Sequence, residues 1–494
     1  MQRQIIILGF DGATWDIIDP MISRGELPNF RRLKETGASG EVNTTYTGSP
    51  VIWTAIFTGK DRQKFGDPFF GINHSRLQAK RIWEIASQRG LRVGVLHSLL
   101  TWPPLEVDGF VIPDIFAIGP ETHPPEYQNF QKLYLSRHGK NLAKQGYYVM
   151  RGFLLSGSLR VALAMFKLLF SSLLHPEALN TFRRRLMVVT KLDHNLFLKL
   201  HRKYRPRLTT FHLHALDTVS HKYWQFMNKP GRYNKVIAEF YREADHFLGK
   251  VFSLLDEKTT LVVVADHGFK EHIDGRGKFE LRVPVLRKLL NIDSAARIVR
   301  IGNAFVMNLG GSGARERADE LAETIRSATL QNGAPLFVNV NEIDRNVHFR
   351  LNKLILESKD PMGEPVVFAG KGWQMTFAHL FRKKAFIDTG IHDAGRGIFA
   401  ICGPDIRPNA NLQRVDIFDI TPTLLTLLGL PVAKDMDGDF DKRWFAAEAL
   451  KSINPEYIPT YEADKEKGEQ IGTEVYSESE VEDLEERLKM LGYL

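Results

Sequence analysis

Residues 5–12 read Ile-Ile-Ile-Leu-Gly-Phe-Asp-Gly, and this stretch constrains the fold more than any other. Four apolar residues run without a polar break into a glycine, a phenylalanine and an acid. The run lacks the alternation of a half-solvated strand and suits a strand buried on both faces, as in a parallel sheet. In sheets of that kind, ligand sites lie just beyond the carboxyl ends of the strands. Asp11 stands at that point, and Gly12 lets the backbone turn there. A single aspartate in such a place is more often a cap or turn residue than a ligand. The weight therefore falls on what the other strand ends carry.

Strands and helices alternate along the chain, which predicts an α/β fold with a mostly parallel central sheet. Trp15 to Thr36 is patterned as helix, with Pro28 placed to start a second one. Ala38 to Val42 reads as a short edge strand. Gly48 and Pro50 break regular structure around Ser49, and Val51 to Phe57 suits a buried helix. A serine at that boundary is either a plain N-cap or a group standing where helix-end amides meet an anion. Ile82 to Gln88 is helical, Leu91 to Leu96 and Arg207 to Leu216 are strands, and Val236 to Leu255 is an amphipathic helix. Thr260 to Ala265 is the clearest buried strand. Arg300 to Leu309 reads as a strand, Arg315 to Leu330 as a helix and Pro335 to Val340 as a strand, a βαβ piece that suggests a small α+β cap. Gly397 to Cys402 is another buried strand, and Asp416 to Leu428 is helical.

At 494 residues the chain is too long for one compact core. Its patterning divides it into catalytic-core segments at 1–125, 206–286 and 385–453, a helical and basic insert at 126–205, the cap at 287–384, and a charged tail with a terminal helix, Glu478 to Leu491, at 454–494. Within the insert, Phe153 to Leu174 is largely apolar, with Ser156, Arg160, Lys167 and Ser171 on one stripe. A helix buried in the insert is the first reading, and contact with a membrane surface is the second. The net charge of +8 is a weak pointer to an anionic partner. One cysteine, Cys402, excludes an intramolecular disulfide. The first strand starts with no leader before it, and no apolar run is long and charge-free enough for a span, so a cytoplasmic enzyme is expected. No nucleic-acid-binding motif is present, so duplex nucleic acid is not expected as a partner.

Acids and histidines gather at the strand ends. Asp11 follows the first strand, and Asp217 and His221 follow the strand ending at Leu216, four apart and so on one face of a helical turn. Asp266 and His267 follow the strand ending at Ala265, and His392 precedes the strand starting at Gly397. In a parallel sheet these ends converge on one side. Three aspartates and three histidines make two sets of oxygen and nitrogen ligands, which suits zinc first and manganese second. Two metals about 3.5–4 Å apart form a clamp for in-line displacement at phosphorus. Ser49, at its helix boundary, is then the nucleophile.

With these motifs in this order, the sequence resembles the alkaline phosphatase superfamily, in its type I phosphodiesterase/nucleotide pyrophosphatase branch. The family's opening strand-Asp-Gly matches Gly9-Phe10-Asp11-Gly12, and its nucleophile segment matches Ser49 through Trp53-Thr54 to Thr58-Gly59. The Asp-x-x-x-His motif matches Asp217 to His221, Asp-His-Gly matches Asp266-His267-Gly268, the late Gly-x-His matches Gly390-Ile391-His392, and the Pro-Thr helix matches Asp419 to Leu425. The resemblance covers roughly 1–117, 207–269 and 388–439. It implies an alkaline-phosphatase-like three-layer sandwich. It also implies that Asp217, His221 and His392 hold one divalent metal ion, that Asp11, Asp266 and His267 hold a second, and that Ser49 faces both. The implied activity is a phosphodiesterase or nucleotide pyrophosphatase that works on a small-molecule phosphoester through a phosphoseryl intermediate.

Two departures weigh against nucleotide specificity. Many relatives carry Pro-x-x-His-Gly after the Thr-Gly, where this chain reads Asp61-Arg62-Gln63-Lys64-Phe65-Gly66. The family's phosphate-binding asparagine has only Asn73 as a neighbour in position. The alternative within the superfamily is a phosphotransferase or phosphomutase acting on a lipid head group or phosphosugar. A sulfatase would need Cys or Ser, any residue, Pro, any residue, Arg; here Pro50 directly follows Ser49 and Trp53 stands where the arginine belongs.

Overall fold

The computed structural model describes residues 3–66, 68, 70, 73–135, 178–271, 279–292, 297–301, 304–309, 314–343, 346–352, 355, 361–383 and 390–463. The described residues form two compact units, one made of those up to Lys270 together with those from His392 onward, and the other of those within Glu271–Ile391. The apolar segment Phe153 to Leu174 and the terminal helix expected from Glu478 lie outside the described residues. Among the described residues, no helix is long and apolar enough to cross a membrane.

The first unit is built on an eight-stranded sheet. It contains β1 (Gln4–Phe10), β2 (Gly37–Asn43), β3 (Val93–Leu96), β4 (Gly109–Ile112), β5 (Leu208–Leu213), β6 (Thr259–Val264) and the strands Ile398–Cys402 and Ala410–Asp416. Across the sheet the order is Ala410–Asp416, β2, Ile398–Cys402, β6, β1, β5, β3, β4. β1 pairs in parallel with β5 (Ile5 opposite Leu208) and with β6 (Ile5 opposite Thr260). β3 is parallel to β4 and β5, and β2 to Ala410–Asp416. Ile398–Cys402 runs against both its neighbours. The fold is therefore α/β with a mostly parallel sheet, as the unbroken apolar runs imply.

Side-chain alternation on β1 shows how the layers form. Phe10 points to one face and packs edge-on against Phe30, with ring centroids 5.9 Å apart. Phe30 lies on α2 (Pro28–Thr36), which follows α1 (Trp15–Ser23). Gly9 points to the other face, where a Cβ would sit 2.8 Å from the Trp53 ring. Trp53 lies on α3 (Ser49–Thr58), so α2 and α3 cover opposite faces. The same split recurs on β5, where Phe211 meets Phe247 and Phe197 while His212 meets Trp53. α3 begins at the Gly48 N-cap, carries Pro50 in its first turn, and ends at Gly59 in the left-handed region at φ 66°. Helix Ile417–Leu428 packs on α3 and is capped by the Asp416 side chain.

Three expectations need correction. β2 is not an edge strand, because Ala410–Asp416 closes the sheet beyond it. Its small residues serve close approach rather than exposure: a Cβ on Gly37 would fall 2.1 Å from the Ile401 carbonyl oxygen, and one on Gly40 2.9 Å from that of Gln413. Arg300 to Leu309 is not one strand but the paired strands Arg297–Ile301 and Ala304–Asn308. The helix from Arg315 stops at Arg326, and Ala328–Leu330 is a strand.

These last elements belong to the second unit, where a four-stranded sheet runs Phe337–Ile343, Asn346–Leu351, Ala304–Asn308, Arg297–Ile301. Ala304–Asn308 and Phe337–Ile343 run the same way on either side of the antiparallel Asn346–Leu351. Helix Ala314–Arg326 joins them, which makes the βαβ piece a split one. Phe305, Met307, Ala318, Ile325, Phe337 and Phe349 supply its core.

Candidate metal centre

The site grows from the strand ends of the first unit. Asp11 leaves β1 fully buried, and Gly12 turns the backbone at φ +71°, where any Cβ would press to 2.6 Å from the Phe269 ring. After β5, helix Ala215–Tyr223 carries Asp217 and His221 on one face. After β6, Asp266 leads into β7 (His267–Glu271), which begins with His267. His392 lies on the short strand Gly390–Ala394, which pairs with β7. The strand that follows, Ile398–Cys402, is antiparallel, so its beginning lies at the edge where β1, β5 and β6 end. A reversed strand thus delivers His392 to the same edge as the forward strands deliver their acids.

Two ligand groups result: Asp217 with His221 and His392, and Asp11 with Asp266 and His267. His221 and His392 place their Nε2 atoms 2.9 Å apart and 3.3 and 3.1 Å from Asp217 Oδ1. His267 Nε2 lies 3.5 Å from Asp11 Oδ1, 3.4 Å from Asp266 Oδ2 and 3.8 Å from Asp217 Oδ1, so it joins the two groups. Ser49, at the N-terminal end of α3, sets its Oγ 3.4 Å from His267 Nε2. All seven residues picked out at strand and helix ends therefore converge on one place. The helix dipole at the start of α3 adds positive potential beside Ser49.

The charges do not balance as they stand. Asp11, Asp217 and Asp266 are all fully buried. Burial, with the charge of Asp11 next, pushes the Asp266 carboxyl well above its ordinary range. Burial also works against ionised Asp11, but hydrogen bonds from His212 and His214 outweigh it and hold Asp11 well below that range. Asp217 is lowered too: burial opposes it, and the charge of His221 is the largest factor in its favour. His267 is pushed down to about 3, first by burial and then by His392. Its Nδ1 lies 3.0 Å from the Gly268 carbonyl oxygen, which only accepts, so the proton sits on Nδ1 and Nε2 offers a lone pair to the cluster. Among the described residues, no hydrogen bond reaches Asp217 Oδ2 or either Asp266 oxygen. Buried, uncompensated acceptors beside imidazole lone pairs are what a divalent cation satisfies.

Two neighbours were not expected from the sequence. His212, the penultimate residue of β5, lies with Nε2 3.0 Å from Asp11 Oδ2. His214 Nδ1 is 3.4 Å from the same oxygen, and the two rings stack at 4.0 Å. Their signal was two histidines one residue apart at the end of an apolar strand. Other candidates are turned elsewhere. Lys60, near Ser49 in sequence, is buried with Nζ 2.8 Å from Asp435 and 2.5 Å from Glu462. Asn73 uses its side-chain oxygen to cap the turn His74–Arg76.

Comparison with known proteins places the chain in a family. A family profile described as type I phosphodiesterase/nucleotide pyrophosphatase matches residues 5–385. No curated protein matches the chain. Among solved structures, murine ectonucleotide pyrophosphatase/phosphodiesterase 5, as an inactive variant in complex with AMP, aligns at 13% identity and TM-score 0.45, covering 92% of this chain and 100% of that one. The same murine protein without that description aligns at 14% and 0.45, over 89% of this chain and 98% of that one. Its human counterpart aligns at 13% and 0.44, over 89% and 97%.

Proposed function

The chain belongs to the type I phosphodiesterase/nucleotide pyrophosphatase family and is a phosphoester hydrolase, and from that premise we propose that it cleaves phosphodiesters with Ser49 as nucleophile and two divalent metal ions as cofactors. Asp217, His221 and His392 would hold one ion, and Asp11, Asp266 and His267 the other. When bound, the ions lower the pKa of the Ser49 hydroxyl and neutralise charge on the phosphoryl oxygens. Zinc fits this mixture of imidazole and carboxylate ligands best, with manganese second. Three buried carboxylates against two divalent ions leave one net positive charge, which suits a monoanionic diester.

Ser49 Oγ attacks phosphorus in line, and the bond to the leaving alkoxide breaks. The phosphoseryl ester is then hydrolysed by water from the opposite side, which restores the serine hydroxyl. The dipole of α3 favours negative charge at the end where Ser49 stands, and His267, held as the Nδ1–H tautomer by the Gly268 carbonyl, keeps Nε2 free for the cluster. A monoester would add a second non-bridging charge. The residues after Ser49 are Pro50, Val51 and Ile52, and Lys60 is already paired with two acids, so this chain offers little to meet that charge.

The observation that carries the proposal is the position of Ser49 Oγ, 3.4 Å from the histidine shared by the two ligand groups. The experiment is Ser49→Ala assayed with bis-p-nitrophenyl phosphate and p-nitrophenyl phosphate in the presence of zinc. Turnover should fall by at least about 10⁵-fold, equivalent to about 7 kcal/mol, while zinc content stays near wild type. Wild type should prefer the diester in kcat/KM. A variant retaining a tenth of the activity would remove Ser49 from its role, and a monoester preference would overturn the substrate class.

A further inference from the structure

Asp11, His212 and His214 together satisfy the geometry of a third metal site that would share Asp11 with the centre described above. Their hydrogen bonds argue otherwise. A histidine that ligates a metal almost always gives its second ring N–H to an acceptor. His267 does so, with Nδ1 on the Gly268 carbonyl. His212 does not: its Nδ1 is buried with no hydrogen-bond partner among the described residues. Were His212 Nε2 a ligand, the proton would sit on Nδ1, and an orphaned N–H would be buried beside the Trp53 ring, whose centroid is 4.4 Å from that of His212. With the proton on Nε2, the same ring donates to Asp11 Oδ2 at 3.0 Å, and only an acceptor lone pair goes unmet.

We infer that His212 is a positioning residue that donates from Nε2 to Asp11 Oδ2, fixing the carboxylate so that Oδ1 is presented to the metal centre. The ring has two aromatic neighbours. Trp53 of α3 meets it tilted by 60° with centroids 4.4 Å apart, and His214 stacks on it at 4.0 Å with an interplanar angle of 25°. His214 is itself tethered by Nε2, 3.3 Å from the carbonyl oxygen of His97. Gly9 makes the arrangement possible, since a Cβ there would lie 2.8 Å from Trp53 and 3.4 Å from His212 Nδ1. The two oxygens of Asp11 are thereby separated in use: Oδ2 belongs to His212, and Oδ1 faces His267 at 3.5 Å. The helix that carries Ser49 and the strand that carries Asp11 are both braced on the His212 ring.

The inference rests on the two-ion reading, and the test separates the two. Zinc equivalents and their dissociation constants are measured by chelator competition with elemental analysis for wild type, His212→Leu, His212→Gln and Asp217→Asn. Gln places a donor near the position of Nε2, whereas Leu keeps bulk without a donor. Wild type should bind two zinc ions. His212→Leu should also bind two, with one weakened about 10–100-fold, and His212→Gln should bind both within about threefold of wild type. If Leu does not fold, His212→Met takes its place. A third equivalent in wild type that either His212 variant loses would make His212 a ligand and overturn the inference. So would an apolar variant that binds as tightly as wild type, or a Gln variant as weak as the apolar one. Asp217→Asn should weaken zinc binding by itself; if it does not, the two-ion reading fails before His212 is in question.

Discussion

Lys60→Met separates the stability of the nucleophile helix from the chemistry at its start. Lys60 follows α3 by one residue beyond the Gly59 cap, and its side chain is 3% exposed. Its Nζ lies between Asp435 and Glu462, whose side chains are 37% and 16% exposed. Removing one member of a fully buried ion pair typically costs about 3–5 kcal/mol, because the remaining charge is stranded. Here the cost should be smaller, about 2–3 kcal/mol. Asp435 can turn to water, and the Thr460 hydroxyl, 2.8 Å from both acids, still donates to one of them. Urea unfolding followed by tryptophan fluorescence reads this, since Trp53 and Trp83 are buried in the same unit. The ratio of monoester to diester kcat/KM should stay within about twofold of wild type, because a lysine paired with two acids makes no contact with phosphate. A tenfold change in that ratio with little loss of stability would refute the reasoning, since it would mean that Lys60 reaches substrate.

His201 is buried with Nδ1 3.0 Å from the Thr209 hydroxyl, and burial, with the charge of Arg202 next, lowers its pKa to about 4. The unfolded chain takes up this proton near pH 6.5 and the folded chain does not, so the stabilising contribution is complete above pH 6.5 and is lost as pH falls towards 4. His201→Asn should abolish about 3 kcal/mol of that acid lability in urea melts compared across this range, and a variant as acid-sensitive as wild type would contradict it. Gly12→Ala forces a Cβ into the left-handed region and to 2.6 Å from Phe269, a ring centred 4.9 Å from that of His221 and 5.4 Å from that of His392. It should cost about 1–3 kcal/mol in strain and lower kcat/KM at least tenfold with unchanged circular dichroism; full activity would show that the turn after β1 does not hold the site.

The residues that were legible in the sequence are those whose signal is local. Ile5 to Leu8 and Leu261 to Ala265 are apolar without interruption, so their burial and the acids that end them could be read directly. Asp217 and His221 are four apart on a helix, and His267 follows Asp266 at once, so their proximity needed no knowledge of the sheet. His392 was legible as a histidine near a strand and through the resemblance of Gly390-Ile391-His392 to the family's Gly-x-His, and what brings it to the centre is the reversal of Ile398–Cys402. His212 was missed because it sits inside an apolar strand and acts through Asp11, a contact between β5 and β1 that is set by strand order. Strand order also decided β2, which reads as a short edge strand and whose glycines instead admit close neighbours on both sides. The pairing of Arg297–Ile301 with Ala304–Asn308 was missed because the apolar residues on both sides read equally as one strand.

Whether Ser49 faces two metal ions held by two separate sets of ligands can be seen in crystals grown with zinc and measured at the zinc absorption edge. Two anomalous peaks are expected about 3.5–4 Å apart, one within about 2.0–2.2 Å of Asp217, His221 and His392 and the other within that range of Asp11, Asp266 and His267, with Ser49 Oγ turned towards them. A single peak, or a pair from which Asp11 or His392 stands more than about 4 Å away, would contradict it.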